Sequence, residues 1–544
     1  MLRRLKINPL FLFLVLGMTL LWVAFPNLKS QLNGEVNYRI IEVDLEEQVA
    51  IPAQGLSQNP VVSVYNPAYT LLYSLDGGDH FIEARDSISI NSLQNPAILY
   101  ENTSIRWRHP NGDFPHLQSL VVKLRNNKKR TESEVKFITY FQEIHSELPM
   151  INLTISEVDL FDWERGMMIY GESSSHDEGF HKDWWYRSAN FAERGSKWAK
   201  KVHLHYFIGG ELVMEQDCEM RISGNATRYF PQKSLKFYPL DEEGKRSKLD
   251  YPLWGEKGSK KAESFLLRQG GNDNLKTMFA DLMMHELADG ANVMVQNGYP
   301  VSVYLNGNYW GIYNLRERVE DYFIGKEENI PSDSVTILYC EVYGDKSLMK
   351  SGNEADQIEF DALMDELLIQ DELSDESYEE VKEKISTKSF IDYIFFETFY
   401  GNQDWLHNNT SWYKAGHKKW KWLLNDLDYS LAYPGDDNLN ANLFEDLKRS
   451  ASITATLFNR FMTVKKFKKK FKERVRVLLT DFFSDERIDR VIRELKSAYA
   501  SEIQLQINRW RMIDSIDQWE KDVAKNVTFL KDRRTIYQKQ VDDL

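Results

Sequence analysis

Cysteine is nearly absent from this chain: only Cys218 and Cys340 occur in 544 residues. Two thiols cannot build a disulfide framework or a cysteine-rich metal site. Positive charge is also in deficit, with 68 Lys and Arg against 82 Asp and Glu and a net charge of -14. A general nucleic-acid binder needs a basic footprint, so no nucleic-acid partner is expected. There is no G-x-x-x-x-G-K-[ST] phosphate loop, no H-E-x-x-H and no G-x-S-x-G. Their absence removes P-loop, zincin and hydrolase-elbow chemistry. An acidic loop at Asp436-Asp437-Asn438 would suit a Ca²⁺-dependent glycan binder, but its spacing matches no EF-hand.

What is present is an ordinary globular composition, 42% hydrophobic and 28% charged, with length for two to four domains. The basic flank Leu2-Arg3-Arg4-Leu5-Lys6 precedes an apolar run from Pro9 to Phe25. Residues 1–29 therefore read as a signal-anchor or transmembrane segment, with a single pass and the body outside the cytoplasm. A cleaved signal peptide and a secreted body are the alternative. Residues 30–56 read as a linker.

Residues 57–145 carry short alternating segments broken by Gly and Asp clusters such as Asp76-Gly77-Gly78-Asp79, the pattern of a small β-sandwich. Beyond it, Lys233 to Tyr238 reads as a strand, on which Lys233 and Lys236 point to opposite faces, so only one can face a cleft. A helix is expected from Asn274 to Gly290, with Asp281 or Glu286 available to pair with a strand lysine. Asn306-Gly307 between two apolar runs predicts a hairpin over 301–315, ending at Arg316-Glu317. Residues 354–387 read as an acidic helical insert, and 390–400 as an aromatic helix. The Lys-rich helix beginning near Lys465 carries the apolar stripe Phe467, Phe471, Val475 and Leu478, expected to pack on the core.

The densest chemistry lies in Tyr400 to Pro434. Asp404 is followed five residues later by Asn409, and a short hairpin (Ser411 to Lys414, Lys418 to Leu424) ends in Asp426 and Asp428. Carboxylate and amide oxygens bind hard cations such as Mg²⁺ together with nucleotide phosphates. Protein kinases space a catalytic Asp, a metal-binding Asn and a second metal-binding Asp in a comparable way. His407, between the two, reads as shaping the loop.

Assembled, these pieces resemble the CotH kinase family, the atypical kinases related to spore-coat protein H. The resemblance rests on Arg228-Tyr229-Phe230-Pro231-Gln232-Lys233-Ser234-Leu235-Lys236, on the 301–313 hairpin with Glu317, on Gly401-Asn402-Gln403-Asp404 with Asn409, and on Trp422 to Tyr429. It spans roughly residues 148–540. Leu71-Leu72-Tyr73-Ser74-Leu75-Asp76-Gly77-Gly78 is similar to the hairpin of chitobiase C-terminal-type Fn3-like domains. The resemblance implies an α+β chain. A two-lobed atypical protein-kinase-like domain (core 146–450, helical part 451–544) would follow a small β-sandwich and an N-terminal transmembrane segment. By analogy Asp404 would be catalytic. Asn409, Asp426 and Asp428 would hold Mg²⁺ or Mn²⁺, while Lys233, Lys236, Arg228 and Glu317 would serve ATP. No G-x-G-x-x-G precedes the strand.

The function so implied is transfer of the ATP γ-phosphate to Ser or Thr of exported, envelope or coat proteins. Nucleotidylation on the same fold is an alternative, because a fold does not fix its chemistry. A non-catalytic envelope or spore-coat assembly role is another.

Overall fold

The computed structural model describes residues 48–544 except 85, 99–100, 177–186, 256–257, 259, 341–345 and 407. The expected membrane segment, most of the linker and His407 lie outside the described residues. Among the described residues no helix is long and apolar enough to cross a membrane.

Eight short strands come first: β1 (Val49–Ala50), β2 (Gly55–Leu56), β3 (Val61–Val64), β4 (Tyr69–Ser74), β5 (Ile82–Ala84), β6 (Ser87–Ser89), β7 (Gln118–Asn126) and β8 (Lys136–Phe141). Strands β1, β3 and β6 form one sheet; β2, β8, β7, β4 and β5 continue a larger one. Val62, Leu71, Ile88, Leu120, Val122 and Ile138 from both sheets share one apolar core. Alternation of buried and exposed residues along β3 and β6 is what lets each sheet bury one face.

The next seven strands are β9 (Met150–Thr154), β10 (Lys200–Ile208), β11 (Glu211–Ile222), β12 (Leu235–Pro239), β13 (Phe265–Arg268), β14 (Gly298–Leu305) and β15 (Asn308–Glu317). They run β10-β9-β14-β15-β13-β12-β11, and β11 pairs back onto β10. The sheet therefore closes into a barrel, a form in which every strand has two neighbours. Among these seven described strands the β9–β14 pairing is parallel and the others are antiparallel. Inward positions such as Leu204, Met220, Phe237, Leu267, Val303 and Leu315 fill it. Asn306 and Gly307, both at positive φ, make the expected two-residue turn between β14 and β15.

Two sequence expectations shift here. The strand expected from Lys233 begins at Leu235, so Lys233 belongs to the loop before it. The helix expected from Asn274 is replaced at first by a 3₁₀ turn, Gly271–Leu275. The α-helix starts only at Ala280, because Asp273 caps the later backbone, accepting from Thr277 N at 3.1 Å and Ala280 N at 2.9 Å.

The helices are α1 (Glu157–Phe161), α2 (Ala280–Ala288), α3 (Asp321–Glu328), α4 (Glu354–Ile369), α5 (Asp375–Lys384), α6 (Thr387–Tyr400), α7 (Leu443–Arg449), α8 (Ile453–Thr463), α9 (Lys465–Asp481), α10 (Asp485–Ala500), α11 (Ile503–Trp510) and α12 (Ile516–Asp542). A third sheet, β17 (Ser347–Ser351), β16 (Val335–Cys340), β18 (Ser411–Ala415) and β19 (Lys421–Leu423), lies among them. Helix α6 is buried on every side from Ser389 to Tyr400, the mark of a central helix. Ser386 caps its start, accepting from Ser389 N, and Gly401 ends it at φ 66. Around it Phe395, Phe399, Phe471, Phe483 and Tyr537 form part of one large core. The basic helix α9 contributes Phe467, Phe471, Val475 and Leu478 to that core, as its stripe predicts. Both cysteines are buried, and neither takes part in a disulfide.

Candidate active site

Helix α6 delivers the chain to the Asp404 loop and is itself pinned to the barrel side, where the Tyr400 hydroxyl donates to Met284 O on α2 at 2.8 Å. At the end of α6 the buried Glu397 accepts from Asn402 Nδ2 at 2.9 Å, and Asn402 Oδ1 accepts from Asp404 N at 3.1 Å. Burial pushes the Glu397 carboxyl up to about 8, so it is neutral at neutral pH. The Asp404 carboxylate accepts from Asn409 Nδ2 at 3.0 Å and Asn408 Nδ2 at 3.2 Å. Burial first and the charge of Asp426 second raise the Asp404 carboxyl above its usual range. Asp404 and Asn409 are thus in direct contact, and Asp426 lies close enough for its field to be felt.

The hairpin β18–β19 leads to Asp426 and Asp428, between which the buried Leu427 anchors the loop. Leu427 N donates to Asp281 Oδ1 on α2 at 2.9 Å. Asp281 also accepts from Arg316 Nη1 of β15 at 2.6 Å. One carboxylate therefore ties together barrel, helix and acidic loop. Its expected partner was a strand lysine; a buried strand arginine takes that place. Arg316 and neighbouring Arg268 hold Asp281 well below the usual carboxylate range against the effect of burial.

The residue that gathers the acidic loop is Arg268, at the end of β13. Its Nη2 lies 2.5 Å from Asp426 Oδ1 and 2.5 Å from Asp428 Oδ2. Asp428 also accepts from Asn272 N at 3.0 Å and Asn272 Nδ2 at 2.9 Å. Burial and the adjacent Asp426 push the Asp428 carboxyl up, and Arg268 pulls it down. Gly271 permits the contact: at φ +65, an added Cβ would stand 1.6 Å from Asp428 Oδ2. Leu406, Asn409, Asp426 and Leu431 all adopt positive φ in these loops. Such strained residues collect where a surrounding fold must hold side chains in set places.

The expected ATP contacts divide. Lys236, Leu266 and Arg316 lie in one row across β12, β13 and β15, so they share the outer barrel face with Arg268. Burial and the neighbouring Arg318, Arg228 and Arg221 lower the Lys236 ammonium to about 8. Lys233 points away from this face. Its Nζ donates to Thr103 O and Arg228 O at 2.8 Å and to Phe230 O at 3.2 Å, over the Phe191 ring at 3.8 Å. All three donors of the ammonium are used inside the protein, which corrects its expected role at a phosphate. Arg228 is corrected for the same reason, since its guanidinium donates to the carbonyls of Gly224, Phe191, Glu193 and Ile222. Glu317, at the end of β15, accepts from Asn297 N at 3.0 Å and Asn297 Nδ2 at 2.7 Å and braces the entry to β14.

The residues that sequence reasoning passed over are Arg268, Gly271, Asn272, Asp281 as an arginine partner, and Glu397. A charged residue closing the apolar strand Phe265-Leu266-Leu267 and followed by Gly-Gly-Asn-Asp was the available signal for the first three.

Asp404 with Asn409, and Asp426 with Asp428 on Arg268, bring four oxygen-bearing side chains and one arginine into neighbouring loops, residue types that can bind hard cations and anionic groups. The family model described as CotH kinase protein matches residues 220–537, more than half of the chain. The chain belongs to the CotH kinase family. Membership suggests a kinase-like enzyme or a spore-coat function, and in general terms ATP and a divalent metal. Among curated proteins none matches the chain. The matched segment begins inside β11, so β9 and β10 stand ahead of it.

Proposed function

We propose that this chain is an exported protein kinase, anchored by its N-terminal apolar segment, that transfers the ATP γ-phosphate to Ser or Thr of exported, envelope or coat proteins. In this reading the barrel is the small lobe and the α6-centred body the large lobe of a kinase-like fold, preceded by an Fn3-like unit. The observation that carries it is the Asp404–Asn409 pair facing an acidic loop, Asp426 and Asp428, held by Arg268.

The donor set fits a divalent ion, since it offers hard oxygen atoms and a carboxyl, Asp428, that burial and the adjacent Asp426 push up. Asn409, Asp426 and Asp428 would hold Mg²⁺ or Mn²⁺, which neutralises phosphate charge when bound. Asp404, fixed by two amide donors, accepts the proton of the acceptor hydroxyl as its oxygen attacks the γ-phosphorus and the bond to the β-phosphate oxygen breaks. Its raised carboxyl makes it a better base than a solvated Asp. Arg268 and Lys236 supply positive charge from the barrel face, where stabilisation of developing charge is most of the catalysis.

The test is incubation of the full-length protein with γ-labelled and α-labelled ATP and Mg²⁺ or Mn²⁺, beside Asp404→Ala. Label from the γ position that disappears in the variant is expected. Label from the α position would instead establish nucleotidylation, and failure of either protein to bind ATP would leave an assembly role.

A further inference from the structure

A second cluster of ligating side chains lies on the β10–β11 hairpin of the barrel, well away from Asp404 in the chain. His203 and His205 alternate with the inward Val202, Leu204 and Tyr206 of β10, so both rings point outward. Across the β10–β11 pairing, Asp217 stands opposite His203 and Glu215 opposite His205. Strand β8 of the N-terminal unit covers them. Phe137 stacks on His203 with ring centroids 4.2 Å apart, and Thr139 Oγ1 lies 2.9 Å from His205 Nδ1.

We infer that His203, His205 and Glu215 form a binding site for a transition metal of the Zn²⁺ class. The two Nε2 atoms are 3.2 Å apart, and Glu215 Oε2 is 3.4 Å from His205 Nε2. Two atoms each at the usual 2.0–2.1 Å from a tetrahedral zinc are about 3.4 Å apart. The spacing is therefore already that of two edges of a zinc coordination shell. All three ligand atoms fall within 4.8 Å of one another, and Glu215, its side chain 53% exposed, is free to close the remaining edge.

The flanking contacts aim the imidazoles. Asp217 Oδ1 lies 2.6 Å from His203 Nδ1, a carboxylate–histidine contact that fixes the proton on Nδ1 and leaves Nε2 as a lone pair. Thr139 meets the distal nitrogen of His205 in the same way. Because Thr139 and Phe137 belong to β8, an ion here would also stiffen the seam between the N-terminal unit and the barrel.

The full-length protein in mild detergent, stripped with EDTA, is titrated with Zn²⁺ against a chromophoric chelator in millimolar Mg²⁺. Co²⁺ loading gives a visible spectrum for coordination geometry. One Zn²⁺ per chain and tetrahedral Co²⁺ bands are expected. Glu215→Gln, at an exposed position compatible with folding, and His203→Ala should each weaken Zn²⁺ binding by about tenfold or more, and Asp217→Asn by about tenfold. Asp426→Asn should leave Zn²⁺ affinity unchanged, separating this site from the Asp404 region. No retained Zn²⁺, or equal affinity in Glu215→Gln and His203→Ala, overturns the assignment.

Discussion

Replacing Arg268 by Gln removes the one cation that Asp426 and Asp428 share. The two contacts are not equivalent. The Asp426 side chain is 37% exposed and the Asp428 side chain 4%. An exposed pair contributes about 0–1 kcal/mol, so most of the cost comes through the buried Asp428, with the longer 3.9 Å contact to buried Asp281 second. Breaking a buried pair leaves an uncompensated charge and costs about 3–5 kcal/mol. Asp428 keeps both Asn272 donors, which places the expected loss at the lower end, about 3 kcal/mol. Urea unfolding followed by fluorescence of the buried Trp405, Trp412, Trp420 and Trp422 reads it. Adding Asp428→Asn to the Arg268→Gln background removes the orphaned charge and should recover at least about 1 kcal/mol, a coupling visible in the double-mutant cycle. A loss below about 1 kcal/mol for Arg268→Gln, with no recovery in the double variant, would refute a buried ionic clamp.

Gly271→Ala places a Cβ against Asp428 at a positive φ; a displacement of about 1 Å at such a group costs on the order of 100-fold in rate, read as γ-phosphate incorporation. Lys236→Met should lower that incorporation at unchanged thermal midpoint. Lys233→Met should do the reverse in emphasis, losing about 1–3 kcal/mol of stability per stranded buried carbonyl, measured by thermal unfolding. Glu328 gives a pH prediction. Burial alone would raise its carboxyl, but hydrogen bonds from Lys421, Tyr413 and Lys418 outweigh this and hold it down to about 2. Because the folded value lies below the unfolded one, the stabilisation, about 3 kcal/mol, is complete above pH about 4.5 and fades as the pH falls toward 2. The stability gap between the protein and Glu328→Gln should shrink over that window in acid titrations.

The Asp404–Asn409 pair, the Asp426–Asp428 loop and the Asn306-Gly307 turn were legible because each is local: five residues, three residues and two residues carry the geometry. Helix α6 was legible because its aromatic run is continuous. Barrel closure was not legible. It depends on β11 pairing with β10 on one side and β12 on the other while β9 meets β14 from about 150 residues away, and strand periodicity contains no partner information. The choice between Lys233 and Lys236 stayed open in the sequence because it turns on where β12 begins. Two residues' difference in the start of β12 turned Lys233 from a surface charge into an interior donor. Arg268 was overlooked because its partners lie about 160 residues downstream.

The closed barrel has a consequence for the order of assembly. Its ring cannot shut until β14 has met β9 and β15 has joined β14 to β13, and even then it is unfinished. Ile312 N waits for Gln506 Oε1 at 2.8 Å, Ser302 Oγ for Glu502 at 2.8 Å, and Trp310 O for the Trp510 indole at 2.7 Å. These groups are buried and lie almost 200 residues earlier in the chain than their partners. Contacts of such long sequence separation are made late and slow the folding reaction. The nascent barrel must therefore wait, incompletely satisfied, for nearly the whole chain before these buried polar groups on its helix-facing strands are matched. Chains interrupted before α11 should accumulate as protease-sensitive intermediates rather than as a small, independently stable lobe.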